Sequence, residues 1–363
     1  MVTVGIIGAT GYAGVELLRI LLRHPHVKYI YCSSVSFEGQ NIDDVYPNLK
    51  GMLGDKCGRV LLSADEIKEK ADILFTALPH GIAEQYADYC VKNGKKLIDL
   101  SADFRYGTDE ATFTKWYKKT WDFPEVHQEC VYGSPEMNRE SIRSARIIGN
   151  PGCYVTSVTL GLLPALKNSL VDVNTIIADS KSGVTGAGRN PSMTNQFCEC
   201  GESFSAYKVG NHRHQSEIER NLSILAGTKA NVIFTPHLIP QNRGILSTIY
   251  APLTQSAAGT IAAEAEKRGC SLDEVVRDIY RKTYENEPFV RVLDAGVNAT
   301  TRVVRYSNFC DIQVYVVNDG KMLEVVSCLD NMIKGAAGQA VQNMNLMYGF
   351  GETEAIDFVP PAF

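Results

Sequence analysis

The residues best able to do chemistry are one cysteine and a pair of histidines. Cys153 stands in Gly149-Asn150-Pro151-Gly152-Cys153-Tyr154, between a short apolar run and a long apolar helical pattern. Asn150 suits the N-cap, Pro151 is preorganised for a first helical turn, and Cys153 falls inside that turn. A thiol there faces the positive end of the helix, which favours the thiolate. The other nine cysteines read as small buried hydrophobes. A thiolate nucleophile needs a neighbouring acid or base. Asn211-His212-Arg213-His214-Gln215-Ser216-Glu217 precedes the apolar stripe Ile218, Leu222 and Leu225, so His214 starts a helix and points inward. Glu217, one turn on, can orient or charge-stabilise the imidazole. The alternative is a structural core histidine. Metal ligation by His212 and His214 would need a third ligand, which the sequence does not identify.

Gly8-Ala9-Thr10-Gly11-Tyr12-Ala13-Gly14 follows the first predicted strand and opens the first helix. Glycines permit a tight turn and close approach of a pyrophosphate, and the helix N-terminus supplies N–H groups and positive charge. The G-x-x-G-x-x-G spacing is a variant of the dinucleotide fingerprint; a plain tight turn is the competing reading. The second strand ends Cys32-Ser33-Ser34, with no carboxylate before Glu38. Hydroxyls can donate to a 2′-phosphate that a carboxylate would repel, so NADP is expected over NAD. Leu100-Ser101-Ala102-Asp103-Phe104-Arg105 ends another strand. There Arg105 can fork onto phosphate with Ser101 donating a further bond, or pair with Asp103 on the surface. The glycine-rich Ser182–Arg189 loop suits an acidic substrate through its N–H groups and Arg189, or is a flexible turn. His80 and His237 could line the two halves of a cleft, and His24, His26 and His127 read as loop residues.

These residues need a scaffold. At roughly 150 residues per domain, 363 residues favour two domains. Thr3–Ile7, Val27–Cys32, Ala71–Thr76, Lys96–Leu100 and Arg146–Gly149 alternate with helical stretches at Gly14–Leu22 and Gly81–Asn93. That order implies right-handed crossovers and a parallel sheet. After about residue 152 the pattern changes to a helix at Tyr154–Lys167 and strands at Thr175–Asp179, Asn231–Thr235, Gly244–Ala251, Phe289–Val292 and Cys310–Val317. Helices are expected at His214–Leu225, Ile261–Arg268, Leu272–Tyr284 and Ala336–Met347. A net charge of −5 without a basic run argues against nucleic acid. No apolar stretch reaches the ~18 residues of a membrane span. The chain opens directly on a strand, and the scattered cysteines read as reduced thiols, so a cytoplasmic protein is expected.

Taken together, these segments resemble the N-acetyl-γ-glutamyl-phosphate reductases, arginine-biosynthetic relatives of aspartate-semialdehyde dehydrogenase. The resemblance runs nearly the whole chain, through Tyr132-Gly133-Ser134-Pro135-Glu136, Phe234–Pro240, and Asp330-Asn331 with Lys334–Ala340. It implies an α/β architecture: a Rossmann NADP-binding domain at 1–152 completed by a C-terminal helix in 330–363, and a glyceraldehyde-3-phosphate-dehydrogenase-like α+β catalytic and dimerisation domain at 153–329. It implies Cys153 as nucleophile, His214 as acid/base and Glu217 behind it. Implied cofactor contacts are Gly8, Thr10, Gly11, Tyr12, Ala13, Gly14, Ser33, Ser34, Pro79, Gly183 and Asn331. Implied substrate contacts are Ser101, Arg105, Asn150, Arg189 and His212, with no metal. A small acyl-phosphate substrate and a homodimer or homotetramer follow. One departure is visible: where the resemblance implies Gly-Ser-Asn, this chain reads Arg305-Tyr306-Ser307-Asn308. A sister reductase for another acyl phosphate, such as aspartyl or N-acyl-aminoadipyl phosphate, would carry similar residues. So would a nonenzymatic NADP-sensing regulator, because a Rossmann loop alone guarantees no chemistry.

Overall fold

Short β-branched and apolar runs separated by helical patterns build two sheets in the computed structural model, which describes residues 1–363. The chain divides into unit 1, Met1–Gly152 with Ala336–Phe358, and unit 2, Cys153–Gly335 with Val359–Phe363. Unit 1 holds β1 (Val2–Ile7), β2 (Val27–Ser33), β3 (Ile73–Thr76), β4 (Lys96–Asp99), β5 (Cys130–Tyr132) and β6 (Ile147–Gly149). All pair in parallel, in the order β2-β1-β3-β4-β6-β5. The central strands are buried on both faces, as an α/β sheet requires, and read as apolar runs such as Ile73–Thr76, while the edge strands β2 and β5 are partly exposed. The first helix, Tyr12–Leu21, begins two residues before the expected Gly14, so part of the glycine loop belongs to its first turn. The expected helix from Gly81 begins only at Glu84. The Asp103 carboxylate explains the delay, because it accepts the amides of Gly81, Ile82 and Ala83 at 2.7–3.1 Å.

Unit 2 holds β7 (Ile176–Gly183), β8 (Ser205–Ala206), β9 (Val232–Ile239), β10 (Ile245–Pro252), β11 (Val290–Val292), β12 (Cys310–Val317) and β13 (Met322–Leu329). They form a mixed sheet in the order β11-β12-β13-β10-β7-β9-β8. β13, hidden in the sequence by its polar interruptions at Glu324 and Ser327, pairs along its full length with both β10 and β12. Residues of β10 alternate buried and half-buried, so one face carries helices and the other stays open. On the covered face lies the helix Cys153–Lys167, pressed close because Gly161 has no side chain to meet Ile249 and Ser327. Pro164 sits inside this helix and cannot donate to the Leu160 carbonyl. The Tyr284 hydroxyl donates to that carbonyl instead, at 2.5 Å, and Tyr280 donates to the next, Gly161, at 2.8 Å. The helix therefore tolerates its proline. No helix of the chain is long and apolar enough to cross a membrane.

Candidate active site

In unit 1 the glycine loop is shaped by what its glycines lack. Gly8 has φ near 91°, and a Cβ there would lie 2.4 Å from the Ala77 carbonyl oxygen. A Cβ at Gly14 would lie 2.2 Å from the Gly8 oxygen, so only glycine lets the helix start against the loop. Gly11 is the N-cap and no side chain caps the helix, which leaves the first-turn amides of Tyr12, Ala13 and Gly14 facing outward for an anion. This cradle fits a pyrophosphate. Ser33 and Ser34 are buried rather than presented as loop hydroxyls. The Ser33 carbonyl accepts the amides of Gly8 and Ala9, and the Ser34 hydroxyl bonds the Thr10 hydroxyl at 2.6 Å. The three residues thus brace the loop. Pro79, after β3, is exposed.

At Leu100–Arg105 the groups expected to meet an anion also have partners within the fold. Asp103 is fully buried and holds the amides named above, so no surface pair with Arg105 forms. Ser101 is buried, and its hydroxyl donates to Asp99 at 2.6 Å, which engages the one proton it had for a phosphate. Arg105 is itself buried, with Nε donating to the Asn150 carbonyl at 2.7 Å and Nη2 to the Leu100 carbonyl at 2.9 Å. Asp99 also accepts the Ser101 amide and the Thr76 hydroxyl. Burial, with the Asp103 carboxylate beside it, raises the Asp99 carboxyl to about 7. Asn150 does not cap the next helix. Its amide nitrogen donates to the Ala336 carbonyl at 3.1 Å, and its amide oxygen accepts from Asn343 at 3.1 Å.

In unit 2, Cys153 is the first residue of its 15-residue helix and is partly exposed. The next residue, Tyr154, is a hub. Its ring lies edge-on to His212, His214 and Phe234 with centroids 5.4–5.9 Å apart, and its hydroxyl donates to the His237 carbonyl at 3.0 Å. The Tyr207 hydroxyl donates to that of Tyr154 at 3.2 Å. Burial pushes the Tyr207 phenol up to about 12, with the charge of Cys153 adding to the effect. His214 opens the helix His214–Ala226, and Glu217 is fully buried one turn on. The two histidine rings lie 4.8 Å apart. His212 Nδ1 accepts the His214 amide at 3.1 Å, so that nitrogen is an acceptor and the ring is neutral. Burial, then the nearby charges of Lys208 and Arg213, lowers His212 to about 4. No group of three or more His, Cys, Asp or Glu side chains is arranged to hold a metal ion.

The second glycine loop begins inside β7, which runs through Gly183. A Cβ at Gly183 would lie 2.6 Å from the Asn242 oxygen. Asn331 ties the loop down: its amide oxygen accepts Gly244 N at 2.8 Å and its nitrogen donates to Thr185 at 3.0 Å. Arg189 is exposed beyond it. Tyr306 takes a left-handed φ of 61°. Its amide donates to Asp330 at 2.6 Å and the Arg243 guanidinium stacks 4.8 Å from its ring. These contacts offset the strain of a side chain in that region. His237, expected to line a cleft, pairs with Asp179 at 3.0 Å. His24, read from sequence as a loop residue, is fully buried and donates to Asn345 at 2.7 Å. Asp99, Tyr154 and Tyr207 escaped the sequence reading. Only Tyr154, beside Cys153, carried a local signal.

Two semialdehyde dehydrogenase families match the chain: the NAD-binding domain at residues 3–145 and the dimerisation domain at residues 153–331. It is 47% identical over 363 residues, all of both chains, to an N-acetyl-gamma-glutamyl-phosphate reductase of Clostridium beijerinckii. It is 49% identical to the protein of that name from Geobacter metallireducens, over 99% of each. Among solved structures it resembles aspartate semialdehyde dehydrogenase II of Vibrio cholerae (TM-score 0.70, 16% identity, 96% of this chain and 98% of that one). It likewise resembles the Candida albicans enzyme with NADP (TM-score 0.67, 14% identity, 96% and 99%). At such identities the structural likeness speaks for fold alone.

Proposed function

The chain belongs to the N-acetyl-γ-glutamyl-phosphate reductase family, and from that premise we infer a reduction centred on Cys153. The enzyme reduces N-acetyl-glutamyl 5-phosphate to N-acetyl-glutamate 5-semialdehyde and phosphate in arginine biosynthesis, with NADPH as cofactor. The observation that carries the residue assignment is Cys153 at a long helix's N-terminus, next to the tyrosine against which His212 and His214 pack. The Cys153 thiolate attacks the acyl carbon, the C–O bond to phosphate breaks, and a thioester forms. When bound against the Gly8–Gly14 cradle, NADPH supplies the hydride that reduces the thioester. His214 donates a proton to the resulting oxyanion and takes it back as the C–S bond breaks, releasing the aldehyde and restoring the thiolate. Glu217 supports the imidazolium before the proton is given and after it is taken back. His212, kept neutral by burial, serves as a hydrogen-bonding partner rather than as the acid. Thiolate is used because a thioester accepts hydride better than an oxygen ester and sulfur leaves readily.

Arg105 of unit 1 and Arg189 of unit 2 are the proposed phosphate contacts, and His212 is the proposed acyl-chain contact. Asn150 contributes by holding Arg105, and Gly183 and Asn331 by shaping the second cofactor-facing loop. A second copy of the chain packs on the open face of the unit 2 sheet, where Ile177 and Ile233 are exposed, giving a homodimer or a pair of dimers. The enzyme works in the cytoplasm, where its ten free thiols stay reduced. Phosphate-dependent reduction of NADP, measured side by side with N-acetyl-glutamate and aspartate semialdehydes, tests the substrate. A preference for the aspartate compound overturns it.

A further inference from the structure

Gly335 stands directly against the nucleophile. A Cβ at that position would lie 2.8 Å from the Cys153 Cβ and 3.3 Å from its Cα. The nearer atom cannot swing aside as the tip of a long side chain could, so an alanine there would displace the backbone or the cysteine. Gly335 does not have a positive φ, so backbone conformation is not the reason for glycine here. The contact is.

The turn that brings Gly335 to Cys153 is built by one buried residue, Asp330, through both its carbonyl and its carboxylate. The Asp330 carbonyl accepts Gly335 N at 2.9 Å and Ile333 N at 3.3 Å. Its Oδ1 accepts Met332 N at 2.7 Å, and its Oδ2 accepts Tyr306 N at 2.6 Å. The Arg243 guanidinium lies 3.6 Å from Oδ2. The segment that follows, Ile333–Ala337, is a π-helix, a wide turn that tends to occur at functional sites. Its one residue without a side chain is the one that meets Cys153.

We propose that Gly335 is a positioning residue for the reaction: the space left by its missing side chain holds Cys153 where its sulfur can attack the acyl phosphate. Asp330, braced by Tyr306 and Arg243, keeps that space open. The proposal rests on the reading of Cys153 as nucleophile. A glycine kept only for packing predicts that alanine lowers Tm and leaves kcat and Cys153 alkylation of the folded enzyme unchanged.

The test compares Gly335→Ala with Gly259→Ala in the full-length enzyme. Gly259 lies within the helix Gln255–Arg268 with nothing within 4 Å of its would-be Cβ. Kinetics with N-acetyl-glutamate semialdehyde, phosphate and NADP are followed together with the alkylation rate of Cys153 by iodoacetamide, read by peptide mass spectrometry. Gly335→Ala lowers kcat by about 10²-fold, the loss expected for displacement of a reacting atom by about 1 Å. It leaves the KM for NADP within about 2-fold and changes the Cys153 alkylation rate several-fold. Gly259→Ala changes none of these. If Gly335→Ala does not fold, the Gly335→Ala/Cys153→Gly double variant, which removes the opposing Cβ, regains a cooperative melt. Wild-type kcat and alkylation in Gly335→Ala overturn the proposal, as does failure of Cys153→Gly to rescue an unfolded variant. Turnover retained by Cys153→Ala overturns the nucleophile reading instead, and is seen without any change at Gly335.

Discussion

The glycine loop of unit 1 and the cysteine cluster of unit 2 reach their shapes by different routes. In Gly8–Gly14 the decisive contact is local: the absent side chain of Gly14 faces the Gly8 carbonyl, six residues earlier. Around Cys153 the neighbours come from distant segments, with Tyr207, His212, His214 and Phe234 gathered on Tyr154, and Gly335 set against the cysteine itself. The loop is braced from outside by Ala77, Ser33 and Ser34, but its own glycines set its shape. A cluster drawn from several segments can be damaged from any of them, which makes its chemistry the more sensitive of the two.

The hardest test of this contrast is Cys153→Ala. It abolishes phosphate-dependent turnover while NADPH still binds, as followed by cofactor fluorescence; lost binding would mean that the two regions are not separable. His214→Asn lowers kcat by about 10²–10⁴-fold, the range for loss of a general acid/base. His212→Asn costs less, because burial keeps that ring neutral near pH 7. The reverse order in steady-state rates assigns the proton to His212.

Asp99→Asn probes unit 1 through pH. A carboxyl free in the unfolded chain ionises near about 3.9, whereas buried Asp99 does so at about 7. The folded chain therefore binds this proton more tightly, and stability is lost as pH rises from about 4 through about 7. Burial lowers His24 and His212, which act in the opposite sense and lose stability as pH falls below about 6.5. The difference between variant and wild type isolates Asp99. It changes by up to about 3 kcal/mol between pH 5 and pH 8, and equal differences in Tm at both pH values reject the assignment. The smallest effect is at Gly14→Ala, where overpacking costs about 1–3 kcal/mol and NADPH binding weakens. Unchanged Tm and affinity would show that the loop is less closed on itself than its geometry implies.

Legibility in the sequence followed the same division. The parallel strands of unit 1 and the glycine loop could be read because their signals, apolar runs and glycine spacing, lie within a few residues. Cys153 and His214 could be read because each opens an apolar helix. The partners of Asn150, Ser101 and Arg105 could not. Asn150 looked like a cap until Asn343, 193 residues later, took its side chain. Arg105 read as a phosphate fork or as half of a surface pair with Asp103, and the Asn150 and Leu100 carbonyls that hold it gave no signal beside it in the sequence. His24 looked like a loop residue until Asn345 covered it.

The sequence by itself determined most of the strands and helices and offered the glycine cradle and Cys153 as candidates, because periodicity, glycine sterics and helix-terminal charge act over a single turn or strand. Only the tertiary structure decided that Asp99 sits buried beside Asp103, that His212 is held neutral, and that a glycine 182 positions beyond Cys153 must have no side chain. Those outcomes depend on desolvation and on excluded volume between segments far apart in the chain, and neither quantity exists until the segments have packed.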